Sequence, residues 1–385
     1  MTKPAPARRL VLLGGGHAHL FVLEGLTRRS LPGIEATLVS LDRRHAYSGM
    51  VPGMIGGRYD PEELSFDLAA ICRVAGVRFI QAEATRLDPA ERRIELAGGG
   101  WVGYDLLSMA VGSSVEGGEL PGVAEHARRV KPIGRALEIV PALERTAGQE
   151  AAPGVVIVGG GAAGVEVALA IRARLRLLGA SAGAVTLVES GDRLLGGRMP
   201  PAEPLVHRAL AENGVTVRLG RAVAAVRSDA VELAGESIPA QVVVWATGAE
   251  SAPLLRTSGL AQDRRGFILV NDHLQSVSDP AVFAAGDAAT LERYPDTPKA
   301  GVYAVREGPI LWANLSAALH RAALPARYHP QPSFLALLNT GDGRAIISYG
   351  ALARWGRIWM MLKDRIDRGF MRRFQRLEAN GVRRK

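Results

Sequence analysis

The chain opens on a short apolar run at residues 9–13 that stops at Gly14-Gly15-Gly16. A stretch of helical periodicity follows to Arg29, then a second apolar run at 36–40. The same order recurs at 155–158, Gly159-Gly160-Gly161, a helical stretch to Leu178, and 184–189. The runs are continuous rather than alternating, as expected of parallel strands covered on both faces. Each unit reads strand, glycine turn, helix, strand, which predicts an α/β protein with two Rossmann-like dinucleotide-binding folds. Residues 77–83 and 92–96 read as a small β-meander with Gly98-Gly99-Gly100 as a turn. Residues 106–111, 242–246 and 281–285 are further apolar runs, each close to a glycine. A helix is predicted over 298–319, with Thr297 as cap and Pro298 in its first turn. A hairpin of 334–338 with 345–349 and a basic amphipathic helix close the chain.

Composition narrows the chemistry. A length of 385 residues suits two or three domains. The single cysteine, Cys72, excludes an internal disulfide, a Cys-x-x-Cys redox pair and a four-thiolate metal site. The net charge of +9 is concentrated at the end. From Arg354 to Lys385 stand nine arginines and two lysines against two aspartates and one glutamate. The rest is nearly neutral, which argues against a general nucleic-acid surface. The run 154–171 is interrupted by glycines and Glu166, so no membrane-spanning helix is expected. The N-terminal apolar run lacks a signal-peptide cleavage site, so a cytoplasmic protein is expected.

The strongest motif is Gly159-x-Gly161-x-x-Gly164 between strand and helix. The first glycine permits the turn, the second lets backbone approach a pyrophosphate, and the third lets helix and strand pack closely. Glu189, ending the next strand, can accept both ribose hydroxyls and would repel a 2′-phosphate, which favours NADH over NADPH. The first copy is less regular. Gly14, Gly15, Gly16 and the following His17 and Ala18 form the turn, but His19 takes the third glycine's place, and the second strand ends in Ser40 with Asp42 beyond it. His17 and His19 read as a polar helix start near phosphates. No metal site is expected, because no other ligand cluster accompanies them. Asp287, after Gly286, could hold a sugar-like hydroxyl chain at a strand end. The following helix could stabilise negative charge through its dipole.

Taken in order, these segments resemble the pyridine nucleotide–disulfide oxidoreductase superfamily of two-dinucleotide-fold flavoproteins. The carriers are Gly14-Gly15-Gly16, the run from Tyr104 to Gly112, Gly159–Gly164, Ala246-Thr247-Gly248 and Ala285-Gly286-Asp287. The resemblance implies FAD in the first fold, around Gly112, Gly286 and Asp287, and NADH in an inserted second fold that includes Gly248. It implies boundaries of 1–117 and 263–328 for the FAD fold, 118–262 for the NADH fold, and 329–385 for the C-terminal region. Gly164-Val165-Glu166 resembles the type II NADH dehydrogenases, where the glutamate lies near the nicotinamide. The segments from Tyr47 to Gly53, from Lys299 to Gly308 and from Asn339 to Asp342 resemble a branch that includes flavoprotein modules fused to selenide, water dikinase. That likeness makes Glu166, Pro52 and Lys299 the candidate catalytic residues. It also sets Pro52 beside the flavin ring, and the backbone of Gly301, Val302 and Tyr303 at its edge.

Two departures bear on the electron acceptor. Without a cysteine pair, disulfide and sulfide chemistry are not expected. The two glutamines that type II dehydrogenases carry at the quinone side are Val302 and Arg306 here. The expected activity is NADH oxidation through FAD, with a quinone as acceptor. A soluble enzyme acting on a small selenium or sulfur compound, and a slow redox-sensing partner protein, remain alternatives. In the last helix Trp355, Ile358, Trp359, Leu362, Ile366, Phe370, Phe374 and Leu377 recur at three- and four-residue steps amid arginines. That stripe fits a peripheral contact with the inner face of a membrane, self-packing, or a second subunit in a homodimer.

Overall fold

The computed structural model describes residues 7–147, 154–180 and 183–382. The first unit starts with β1 (Arg8–Leu13), α1 (His17–Arg28) and β2 (Ile34–Ser40). The short α2 (Val51–Ile55), β3 (Arg78–Gln81) and β4 (Leu106–Met109) follow. The second unit holds β5 (Ala127–Arg129), β6 (Gly154–Val158), α3 (Ala162–Leu177), β7 (Ala184–Val188), β8 (Val215–Arg218) and β9 (Val242–Trp245). The chain then returns through β10 (Val282–Ala284) and α4 (Gly301–Leu319), and ends in α5 (Arg357–Val382).

Two five-stranded parallel sheets result. Their orders are β10-β4-β1-β2-β3 and β5-β9-β6-β7-β8. The central strands are buried almost end to end, as continuous apolar runs require. A parallel pair needs a crossover, and α1 and α3 supply it. Both glycine turns therefore lie at the carboxyl ends of their sheets, where open α/β sheets bind ligands.

Several expectations need correction. Residues 78–81 do not belong to the meander; they pair in parallel with Thr37–Ser40 at the sheet edge. The meander is Ala84–Asp88, Arg93–Leu96 and Trp101–Gly103. The helix expected from Pro298 begins at Gly301, and Ala300 before it is extended. Thr297 does not cap it but donates to the Tyr294 carbonyl. The chain stays extended there because the Lys299 ammonium bonds the Ala289 carbonyl and Thr290 hydroxyl. The hairpin is Ala336–Asn339 with Ala345–Tyr349, extended by a third strand, Leu352–Gly356, that takes Trp355 out of the helix.

Helix α5 packs on its own chain. Its buried face is Met360, Lys363, Asp367, Met371 and Phe374, against the helix Leu68–Ala75 and the strand Ser65–Asp67. Tyr59 donates to Asp364 at 2.8 Å, Arg368 pairs with Glu63 at 2.7 Å, and Arg373 with Glu24 at 2.6 Å. The predicted stripe is thus only partly buried: Ile358 and Ile366, at 65% and 45% exposure, stay outside with Met361. No helix among the described residues is long and apolar enough to cross a membrane.

Candidate active site

The carboxyl ends of both sheets open into one cavity of about 2730 Å³. Sites for one small ligand span ~300–1,000 Å³, so this volume suits two large ones. Every candidate catalytic or cofactor-binding residue lines it except Pro52 and Gly164.

The second glycine turn divides its labour by position. Gly159 sits at φ +109°, and a Cβ there would come within 2.5 Å of the Ala246 carbonyl oxygen. A Cβ on Gly164 would overlap the Gly159 carbonyl, so its lack of a side chain serves helix–strand packing. At Gly161 an added Cβ would meet no protein atom within 4 Å, and the open side is the cavity. That is the geometry of a backbone left bare for a ligand. The N-terminus of α3 points the same way. Glu189 lies beside it: its Oε2 accepts from the Gly160 N–H at 2.5 Å and its Oε1 from the Gly191 N–H at 2.7 Å.

The first turn works differently. Gly14 sits at φ +91° against Ala110. His19, standing in the third glycine's place, is fully buried. Its Nδ1–H donates to the Gly14 carbonyl at 2.6 Å, and Nε2 accepts from the Ser108 hydroxyl at 2.8 Å. The carbonyl can only accept, which fixes this tautomer. The side chain thus clamps the turn to β4. Burial lowers both His17 and His19 to a pKa of about 4, so neither carries charge at neutral pH. His17 packs edge-on against His45, and near Tyr47 and Phe370. Ala18 is buried at the start of α1. Ser40 is buried at the end of β2 with its Oγ near Gly15, while Asp42 stands exposed at the cavity edge.

Asp287 follows β10 through Gly286, whose N–H donates to Glu307 at 2.5 Å. Burial raises the Asp287 carboxyl, but the Lys131 ammonium and Ser113 hydroxyl outweigh it and hold it below the usual range. Burial lifts Glu307 to about 7 and lowers Lys299 to about 8. Lys299 points into the wall, over the Phe267 ring at 4.1 Å. Gly301 abuts the Ser48 hydroxyl, and with Val302 and Tyr303 it presents the N-terminus of α4 to the cavity. Pro52 is buried in α2 and does not line the cavity, whereas Ser48 and Gly49 just before it do. Gly112 and Gly248 line the cavity near the junction of the two units.

Glu166 faces a group that the sequence did not single out. Its Oε1 accepts from the Asn339 N–H at 2.7 Å. Burial raises its pKa to about 7 against the opposing pull of Lys363. Lys363, from α5, donates to the Gly49 carbonyl at 2.8 Å and to Asp367 at 2.9 Å. Asp367 also accepts from the Tyr47 hydroxyl at 3.2 Å. A second tie lies two turns along α3, where Arg174 donates to the carbonyls of Met54 and Ile55 at 2.8 and 2.7 Å. The helix carrying Glu166 is thereby fastened to the end of α2.

Comparison with known proteins decides the family. A sequence profile described as pyridine nucleotide-disulphide oxidoreductase matches residues 8–308. The chain belongs to this family. It is 34% identical to an NADH dehydrogenase-like protein of Mycobacterium tuberculosis over 302 residues, 73% of this chain and 72% of that one. A demethylphylloquinone reductase of Synechocystis is 26% identical over 360 residues, 89% and 87% of the two chains. The structure of NDH2 from Plasmodium falciparum in complex with NADH superposes with a TM-score of 0.79 at 15% identity. It covers 94% of this chain and 97% of that one. FAD and a pyridine nucleotide are the cofactors of this family, and two glycine turns on one cavity, the second left bare at Gly161, fit such a pair.

Proposed function

We propose that the protein oxidises NADH through FAD and delivers the electrons to a quinone. The observation that carries this reading is the single cavity onto which both dinucleotide turns, Asp287 and Glu166 open. FAD, when bound, supplies the redox chemistry, taking a hydride and passing electrons on. The protein's residues bind and orient. Glu189 receives the NADH ribose, and backbone N–H groups at Gly161 and the start of α3 receive its pyrophosphate. Glu166 orients the nicotinamide end. Gly14–Gly16 and Asp287 hold FAD, and the N-terminus of α4 offsets negative charge near Gly301 and Tyr303. Pro52 and Lys299 back the wall.

Quinone reduction consumes protons, and a carboxyl titrating near neutrality suits their transfer. Glu166, beside the Lys363–Asp367 pair, supports such a role. The quinone-reductase relative supports the choice of acceptor. The exposed Ile358, Met361 and Ile366, flanked by Arg357 and Arg365, suit a peripheral contact with acidic lipid, from which a quinone would arrive. Steady-state NADH oxidation with a water-soluble quinone and with small selenium compounds tests the acceptor. Multiple turnover with the quinone is expected; turnover with the selenium compound alone would overturn that assignment.

A further inference from the structure

The loop after β5 sends one side chain across from the second unit into the first. The Lys131 ammonium lies 2.6 Å from Asp287 Oδ2 and 3.0 Å from Ser113 Oγ. Ser113 itself donates to Asp287 Oδ2 at 2.9 Å. Ser113 follows β4, Asp287 follows β10, and Lys131 follows the first strand of the other sheet. All of them line the cavity, with the Lys131 and Asp287 side chains only 29% and 15% exposed.

We propose that Lys131 is a cofactor-binding residue that completes the FAD site from the second unit. This rests on the reading of the cavity given above. Lys131 and Ser113 both converge on Oδ2, and Oδ1 has no protein donor among the described residues. Oδ1 is thus left to accept a hydroxyl proton from a polyol chain. An ammonium has three N–H donors, and two are spent here. The third is left for an oxygen of the same ligand. The pair also keeps Asp287 ionised in a partly desolvated place, where an unpaired carboxylate would be costly. Lys299 is the other cation facing Asp287, but its ammonium is bonded to Ala289 and Thr290. It cannot replace the contact.

The test is FAD titration of the full-length apoprotein, read by quenching of flavin fluorescence. The variants are Lys131→Met, Lys131→Arg, Asp287→Asn, the Lys131→Met/Asp287→Asn double, and Arg135→Met as a surface control. Losing one partner of such a pair, discounted for its partial exposure, should weaken FAD binding roughly 10- to 100-fold in Lys131→Met. Lys131→Arg should lose less. The double variant should bind more weakly than Asp287→Asn, because the third N–H of the lysine reaches the ligand directly. Far-ultraviolet circular dichroism melts establish that each variant folds, and the double variant keeps the test open if Lys131→Met alone does not. FAD affinity in Lys131→Met equal to or tighter than in the wild type overturns the proposal. A wild-type protein that binds no FAD overturns the functional reading beneath it instead.

Discussion

Gly161→Ala separates binding from folding. The residue caps α3 with φ −67° and ψ 177°, a conformation alanine adopts freely. No protein atom lies within 4 Å of the added methyl. Two small effects on stability oppose each other. Alanine is a poorer helix cap than glycine, yet it lowers the entropy of the unfolded chain; each is worth about 1 kcal/mol or less. The melting temperature should therefore stay within about 2 °C of the wild type. On the proposed function the methyl projects into the open space where the pyrophosphate would bind, pushing it off the helix N-terminus. Loss of a hydrogen bond to a charged group costs about 1.5–3 kcal/mol, which converts to a roughly 10- to 100-fold rise in KM for NADH. Bound FAD should be unchanged. Gly164→Ala is the contrast: its methyl would overlap the Gly159 carbonyl, backbone on backbone. It should cost roughly 1–3 kcal/mol of stability as well as activity. The assay is steady-state kinetics beside thermal melts of the same preparations. A Gly161→Ala protein with wild-type KM, or one that loses stability as Gly164→Ala does, would refute the assignment of this turn.

Three further outcomes are expected. Glu189→Ala, which removes the carboxylate that would repel a 2′-phosphate, should narrow the preference for NADH over NADPH by about tenfold, measured as the ratio of the two kcat/KM values. Glu307 has its pKa raised by burial to about 7, so its contribution to stability is complete below its unfolded value and is lost as pH rises through about 7. Glu307→Gln should melt with a flatter pH dependence than the wild type between about pH 5 and pH 8; equal slopes would exclude a neutral buried carboxyl there. Phe374 is fully buried against Phe21, Phe66 and Phe370. Phe374→Ala should cost about 3–5 kcal/mol in chemical denaturation; a loss below ~1 kcal/mol would mean that α5 does not dock as described.

What is legible in the sequence is local. An apolar run, a glycine turn and a helical period follow from sterics within about thirty residues, and both sheets form around them. The helix start expected at residue 298 fails because its cap signal, Thr297-Pro298, competes with a tertiary bond: Lys299 is held to Ala289 and Thr290. The face of α5 is hidden because two of its core positions are charged. Lys363 and Asp367 pair with each other and are buried, so they break the apolar period and leave Ile358 and Ile366 to complete a false one. The group around Glu166 and the Lys131–Asp287 pair cannot be found from spacing. Lys363 meets Gly49 across 314 positions, and Lys131 meets Asp287 across 156. The departure at His19 is visible in the sequence but not its meaning, since a histidine in the third glycine's place is explained only by Gly14 and Ser108 on either side of the ring.

The central claim is that FAD and NADH share one cavity built by two dinucleotide folds. Its most direct test is anaerobic addition of one equivalent of NADH to the FAD-loaded protein, followed by the visible absorbance of the flavin. Prompt bleaching, with Gly161→Ala requiring far more NADH for the same effect, is the predicted result. A protein that holds FAD yet stays yellow under excess NADH would contradict it.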